Sequence, residues 1–429
     1  MSAIDVLLKY GSSEVKVSVP EDRILGILKS REMKKLAYPR ASVVDALKQP
    51  IGSATLSDIV KDKGGKDAVI VVSDRTRTSK ADILLPVILS DLNNSGVIDE
   101  NITIVFATGT HRGHTEDEKK KLVGPFVSER NVRLVDHHCR DDSNLVELGT
   151  SSRGNKIRVN KVVAGAGIKI LTGCITYHYF AGFGGGRKSV LPGISAFDTV
   201  QYNHKLLMSD RVGGGENPNC ITGNLKDNPV HGDMLEAARM LGPDMIVNSV
   251  VNGERELAGV FAGDLEKAHL AGCKFIDDHA RVKIPKKADL VIASAGGGTK
   301  DMNFVQSHKA MENASYCLKE GGTMVLVAES AEGLPAEEYM KWINLGSSKA
   351  IEEELRRNFS IPGHSIYSAV HKAEKFRIIW VTKMDKDIVK KMRMTPVDTV
   401  DEAMKIAEES DSRGVYVMPE AYLTLPEAG

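Results

Sequence analysis

Cysteine is scarce in this chain. Its 429 residues hold five, at Cys139, Cys174, Cys220, Cys273 and Cys317, and none forms a Cys-x-x-Cys pair. That spacing offers neither a disulfide framework nor a zinc knuckle, and it suits reduced thiols in a cytoplasmic protein. Charge of either sign is not in excess, with Lys+Arg and Asp+Glu at 57 each. Nucleic acids and anionic membranes are recognised by a basic excess, so neither is expected as a partner. No apolar run approaches the roughly 18 residues of a membrane span. The first nine residues lack a basic segment leading into an apolar one, so no secretory signal is expected. Long internal repeats, low-complexity tracts and a Gly-x-Gly-x-x-Gly fingerprint are also missing.

What is present is an ordinary soluble composition, 42% hydrophobic, in a chain too long for one core. Two domains are expected. Buried strands are predicted over 68–72, 102–106, 132–135 and 168–171, and a hairpin over 245–251 and 256–261 turns at Asn252-Gly253. Helical patterns cover 80–92, 116–122 and 265–278. After a basic connector at 283–287, strands are predicted at 290–294, 323–328 and 377–381. Helices are predicted at 304–319, 336–342, 348–358 and 399–410. Alternation of this kind gives an α/β protein of two domains, each a mostly parallel sheet flanked by helices. The boundaries are 1–271 for the first domain, open to completion by 414–429, and 285–413 for the second.

Polar residues follow the strands in a telling way. Asp74, Arg75 and Arg77 come after the first strand, His111 and Arg112 after the second, and Asp136, His137 and His138 after the third. Cys174 and His178 come after the fourth, and Gly296, Gly297, Gly298, Lys300 and Asp301 after the first strand of the second domain. Ligands of open parallel sheets bind at the carboxyl ends of strands. One active-site cleft between the domains, closed by the second, is therefore expected.

The densest segment runs from His178 through Gly182, Gly184, Gly185, Gly186, Arg187 and Lys188 to Gly193. Its glycines could bring backbone amides close to a phosphate. A flexible turn with a solvated Arg–Lys pair is equally open from composition. Arg187 stands where a P-loop requires glycine, so a nucleoside triphosphatase is not the reading. Among the twelve histidines, His111 and His178 lie just past strand ends and suit proton transfer. His204 is open between a metal ligand and part of an Asn-capped helix end. His114 reads as merely polar. Arg77 and Lys300 are two cations able to hold a carboxylate, although each alone reads as a surface charge.

Taken together, these pieces resemble the nickel-pincer lactate racemase family. The resemblance rests on Ser73-Asp74-Arg75-Thr76-Arg77, Gly109-Thr110-His111-Arg112, the block from His178 to Gly193, Asn203-His204 and Lys300-Asp301, in family order. It implies a 2-hydroxy acid racemase or epimerase that inverts C2 by reversible hydride transfer through a 2-keto acid. The implied cofactor is a nickel pincer nucleotide, a pyridinium-3-thioamide-5-thiocarboxylic acid mononucleotide joined covalently to Lys188. By the same resemblance His204 completes the nickel coordination and His111 and His178 are the acid–base pair. Arg77 and Lys300 hold the substrate carboxylate, Asp74 lies near the cofactor, and Gly184, Gly185 and Gly186 lie near its phosphate. The cofactor-biosynthesis enzymes would be transient partners.

The chain departs from its relatives at Thr78-Ser79-Lys80, where they often carry a proline-containing turn, and at the lid. Trp342 falls too early and Trp380 falls inside a strand to match the lid tryptophan of lactate-specific members. His364 or Tyr367 takes that place as a substrate contact, which opens the substrate to malate or a sugar acid. Two rival readings are a zinc-dependent hydrolase using the same histidines and a non-catalytic nucleotide- or hydroxy acid-binding protein.

Overall fold

The computed structural model describes residues 2–408 and 414–428. The chain opens with a hairpin, β1 (Ala3–Tyr10) and β2 (Ser13–Pro20), whose register pairs Tyr10 with Ser13 around Gly11 at φ +54°. Alternate residues Val6, Leu8, Tyr10, Val17 and Val19 are buried, as expected of a ribbon with one covered face. A short strand β3 (Ile24–Ile27) follows.

The central unit, Glu32–Leu207 with Glu216–Asp278, is built on six strands. These are β4 (Ala68–Ser73), β5 (Ile102–Ala107), β6 (Arg133–Asp136), β9 (Ile168–Cys174), β12 (Met245–Val251) and β13 (Leu257–Gly263). Two small ribbons, β7 (Leu145–Thr150) with β8 (Lys156–Asn160) and β10 (Tyr177–His178) with β11 (Gly182–Phe183), stand apart from it. The sheet order is β13-β12-β9-β4-β5-β6, parallel except for β13, which returns from β12 by the expected hairpin. Strand β4 reads Ala-Val-Ile-Val-Val-Ser, and its first five residues are buried, as a parallel strand covered on both faces requires. Helix Ala81–Asn94 covers it with Leu84, Leu85, Ile88, Leu89 and Leu92, all fully buried. Each such side chain stabilises the fold by about 1.5–3 kcal/mol.

The other unit holds β14 (Arg281–Ile284), β15 (Ala288–Ser294), β16 (Leu318–Val327), β17 (Arg377–Val381), β18 (Thr395–Val397), β19 (Val415–Met418) and β20 (Leu425–Ala428). Its sheet order is β18-β17-β16-β15-β19-β3, parallel throughout. The sequence reading ran the first domain over 1–271 and left it open to completion by 414–429, and the strand pairing differs. Strand β3 finds its parallel partner in β19, Val417 opposite Ile27, and β19 itself lies against β15. Residues up to Arg31 and from 414 to 428 therefore belong with the C-terminal sheet, as does the excursion Met208–Gly215. The predicted helix end at Ser410 and domain end at Arg413 lie outside the described residues. No helix among the described residues is long and apolar enough to cross a membrane.

Each sheet has one place where the strand order reverses. In the central unit β4 leads to β5 and β6 on one side, with β9 and β12 on the other. In the other unit β15 leads to β16, β17 and β18 on one side, with β19 on the other. Open sheets bind ligands at that reversal, beyond the carboxyl ends of the strands.

Candidate active site

Beyond β4 and β5, the Asp74 carboxylate accepts a hydrogen bond from Nδ1 of His111 at 2.6 Å and, on its other oxygen, from the Thr76 hydroxyl at 2.7 Å. Burial alone would push the Asp74 carboxyl up. The hydrogen bonds from His111 and Thr76 and the nearby Arg77 charge outweigh it, and the carboxyl is held below its ordinary value. With Nδ1 donating to a carboxylate, the neutral His111 ring keeps its lone pair on Nε2. That is the form a general base needs.

Beyond β9 the chain makes the β10–β11 ribbon, which carries His178. Its Nδ1 accepts the Ala181 amide at 3.3 Å, and its ring stacks on Tyr179 with centroids 5.2 Å apart. The next residue, Phe180, is the hub. Its ring lies 4.5 Å from the His178 ring, 5.4 Å from the His204 ring and 5.7 Å from Nζ of Lys188. Three predicted site residues thus meet on one aromatic side chain that the sequence reading did not single out. Only its place within the His178–Gly193 block could have signalled it.

Arg187 is 1% exposed, so the alternative of a solvated Arg–Lys pair does not describe it. Its guanidinium donates to the carbonyls of Ala181 and Phe183 at 2.8 and 3.0 Å and lies 2.9 Å from Nε2 of His269, a nitrogen that is also 2.9 Å from the Gly184 carbonyl. Burial pushes it down to about 10, and it stays charged at neutral pH. Lys188 keeps part of its surface exposed. Burial of its amine, with the Arg187 and Arg77 charges beside it, pushes that amine well below the ordinary lysine value.

The three glycines are needed for close packing. A Cβ on Gly184 would meet the Cys174 carbonyl oxygen at 3.0 Å, and one on Gly185 (φ +70°) would meet Asn248 Oδ1 at 2.9 Å. The Gly184 amide donates to the Thr176 carbonyl at 2.8 Å and the Gly186 amide to Asn248 at 2.9 Å. Those two amides serve the protein's own structure, which favours packing over phosphate binding for Gly184 and Gly186.

His204 lies on helix Phe197–Lys205. Its Nδ1 bonds the Val200 carbonyl one turn back at 2.8 Å, leaving Nε2 as the nitrogen suited to a metal. Asn203 serves a different purpose from capping. It donates to the Val230 carbonyl and to Asp233, tying this helix to Pro229–Leu241. Among the described residues no group of three or more His, Cys, Asp or Glu could hold a metal ion. A zinc hydrolase needs three protein ligands and finds no such set there.

In the other unit, Lys300 ends the 3-10 turn Gly298–Lys300 just past β15. Its Nζ is 3.8 Å from Glu420, which follows β19. It therefore stands at that sheet's reversal point. Asp301 is fully buried and accepts the amides of Gly11 and Glu329 at 2.8 and 3.2 Å, which fixes the turn. His364 and Tyr367 both lie on helix Ile361–Lys375, each 1% exposed. Tyr367 is part of the apolar core of its unit, which favours packing over substrate contact, and His364 faces the Phe359 ring at 6.5 Å.

Models of two domains match the chain. That of the lactate racemase N-terminal domain covers residues 10–215, and that of the lactate racemase C-terminal domain covers residues 283–421. Among curated proteins, the chain is 35% identical to the lactate racemase of Thermoanaerobacterium thermosaccharolyticum over 97% of both chains. It is 34% identical to that of Lactiplantibacillus plantarum over 98% of both. Among solved structures, the lactate racemase apoprotein of Thermoanaerobacterium thermosaccharolyticum superposes with a TM-score of 0.89 at 34% identity, covering 99% of this chain and 100% of that one. A protein from Thermotoga maritima, with a TM-score of 0.63 at 18% identity over 91% and 98%, is alike in fold.

Proposed function

Given that the chain belongs to the lactate racemase family, we propose that it inverts C2 of a small 2-hydroxy acid with a nickel pincer nucleotide tethered to Lys188. The protein is an isomerase of the racemase class. The observation that carries the finer reading is the cluster on Phe180. It gathers a histidine able to move a proton, a lysine held towards its neutral form and a histidine with Nε2 suited to a metal.

The residues fit the cofactor in three respects. Acylation requires a neutral amine, and the environment of Lys188 disfavours its ammonium. The Arg77 and Arg187 charges acting on that amine suit an anionic group. One imidazole at His204, with no further protein ligand set among the described residues, suits a metal whose other donors come from the cofactor. When bound, this group supplies a hydride acceptor, which an imidazole cannot replace because the C2 hydrogen is too weakly acidic.

The chain's own residues do the rest. Nε2 of His111, oriented by Asp74, receives the hydroxyl proton of one enantiomer, and His178 serves the other. Arg77 is proposed to hold the substrate carboxylate, which keeps a planar keto acid in place between the two half-reactions, and Lys300 is proposed as a carboxylate-binding residue on the family resemblance. His364 is proposed as the residue that sets how polar a C3 substituent is accepted.

The test is intact mass with nickel analysis on protein co-produced with the cofactor-biosynthesis enzymes, followed by a chiral screen of lactate, malate and sugar acids. A mass increase mapping to Lys188, about one nickel per chain and inversion of one of these acids are expected. An unmodified Lys188 beside a lactate racemase control that loads would overturn the cofactor reading.

A further inference from the structure

His114 has no exposed side-chain surface, and both of its ring nitrogens are engaged. Nε2 accepts the backbone amide of Arg75 at 3.1 Å. A backbone N–H can only donate, so Nε2 must carry the lone pair. The ring is then the Nδ1–H tautomer, and that hydrogen goes to Asp136 Oδ1 at 2.6 Å. The second oxygen of Asp136 accepts the His114 amide at 3.0 Å and lies 3.5 Å from Nζ of Lys119. The Phe106 ring, 5.1 Å away, closes the site from β5.

These bonds join three neighbouring strand ends. Asp136 closes β6, His114 lies in the loop after β5, and Arg75 lies in the loop after β4. The loop after β5 runs close to Asp136, since a Cβ on Gly113 would sit 3.3 Å from its Oδ2. The amide that His114 holds belongs to the residue directly after Asp74. The same peptide unit carries the Asp74 carbonyl, so its orientation governs where the Asp74 side chain leaves the backbone. Asp74 in turn holds Nδ1 of His111. The result is a continuous chain: Asp136, His114, the Arg75 amide, Asp74, His111.

We propose that His114 is a positioning residue for the acid–base group. By anchoring the Arg75 amide it keeps Asp74 aimed at His111, and so keeps the His111 lone pair on Nε2. The inference rests on the reading of His111 as an acid–base group oriented by Asp74. The test therefore reports on His111 itself.

The first measurement needs no cofactor. In apoprotein with 15N-labelled histidine, imidazole NMR is expected to show both His114 and His111 as Nδ1–H tautomers. In His114→Ala the His111 signal is expected to move to a mixture of tautomers, and in His114→Gln, whose amide oxygen can still accept from Arg75, to stay near the native position. An Nε2–H tautomer at His114 in the native protein, or an unchanged His111 signal in His114→Ala, would overturn the proposal. If His114→Ala does not fold, the native tautomer and His114→Gln decide it.

The second measurement uses loaded enzyme. His114→Ala is expected to lower kcat/KM about 10- to 100-fold, the scale of an ångström-level misplacement. In an Asp74→Asn background the same change is expected to cost less than about threefold, because the two act through one path. A fully additive loss would make His114 a general stabiliser and overturn the proposal. The two ideas fail separately. Full turnover in Asp74→Asn removes the acid–base reading itself, whereas full turnover in His114→Ala beside a crippled Asp74→Asn removes only this inference.

Discussion

The Asp74 carboxylate lies 2.6 Å from Nδ1 of His111, and its other oxygen is occupied by Thr76. Both oxygens are committed, so the pair has one productive arrangement. Asp74→Asn keeps the size of the side chain but can present its amide N–H to His111, which reverses the tautomer. Loss of the corresponding carboxylate in serine hydrolases costs about 10⁴ in kcat. Here a drop in turnover of about 10²- to 10⁴-fold is expected. If Lys188 carries the cofactor as proposed, the mass of its peptide should be the same in this variant, which would separate lost proton transfer from lost loading.

Lys188 should give up its proton more readily than an exposed lysine, because burial and the Arg187 and Arg77 charges disfavour its ammonium. A brief pulse of formaldehyde with a mild hydride reductant at pH 7 should methylate Lys188 ahead of the exposed lysines. Peptide mapping reads the order directly. A Lys188 that lags behind the surface lysines would show an ordinary ammonium.

Acid should destabilise the apoprotein earlier than carboxylates alone would. Burial pushes His137 down to about 4 and His231 down to about 3. A histidine whose pKa is depressed by folding stabilises above its unfolded value near 6.5, and that stability is lost as pH falls below it. Down to pH 4 the loss from His137 amounts to about 3 kcal/mol. Calorimetry in pH steps should show Tm falling from pH 6.5 downward. His137→Gln, which can still donate to the Ser195 carbonyl that His137 now bonds, should flatten that fall by about one proton's worth.

Arg187 ties the β10–β11 ribbon to the body of its unit. Arg187→Ala leaves the Ala181 and Phe183 carbonyls without their donor and should cost about 2–4 kcal/mol. Arg187→Lys should recover less than half, since a lysine cannot fork to two carbonyls and an imidazole. Thermal unfolding of apoprotein measures both.

The six strands of the central sheet, and β15, β16 and β17 of the other, were legible with the polar residues at their ends because a buried parallel strand writes itself as a short β-branched run, whereas β3, β18 and β19 were not. His111, His178, Lys188 and Arg77 were readable from those positions and from the family block. Other features left no such mark. Helix Ile361–Lys375 begins with Pro362-Gly363, which reads as a loop. Proline is well suited to a first turn, and Gly363 is demanded by packing, since a Cβ there would sit 2.5 Å from the Trp342 indole. The partner of His114 is Asp136, 22 positions away, and no local spacing announces that pair. The membership of β3 in the C-terminal sheet is set by a partner near the opposite end of the chain.

That last pairing bears on how the protein is made. Strand β3 is synthesised before the central unit, yet the strand it needs, β19, emerges after that unit and must itself lodge between β15 and β3. The central unit can acquire its whole sheet while synthesis continues. The sheet that carries Lys300 stays incomplete until β19 has emerged. A chain cut short even at residue 414 would lack β19, which joins the first strand of that sheet to the rest, and quality control in the cell would meet it as an open edge.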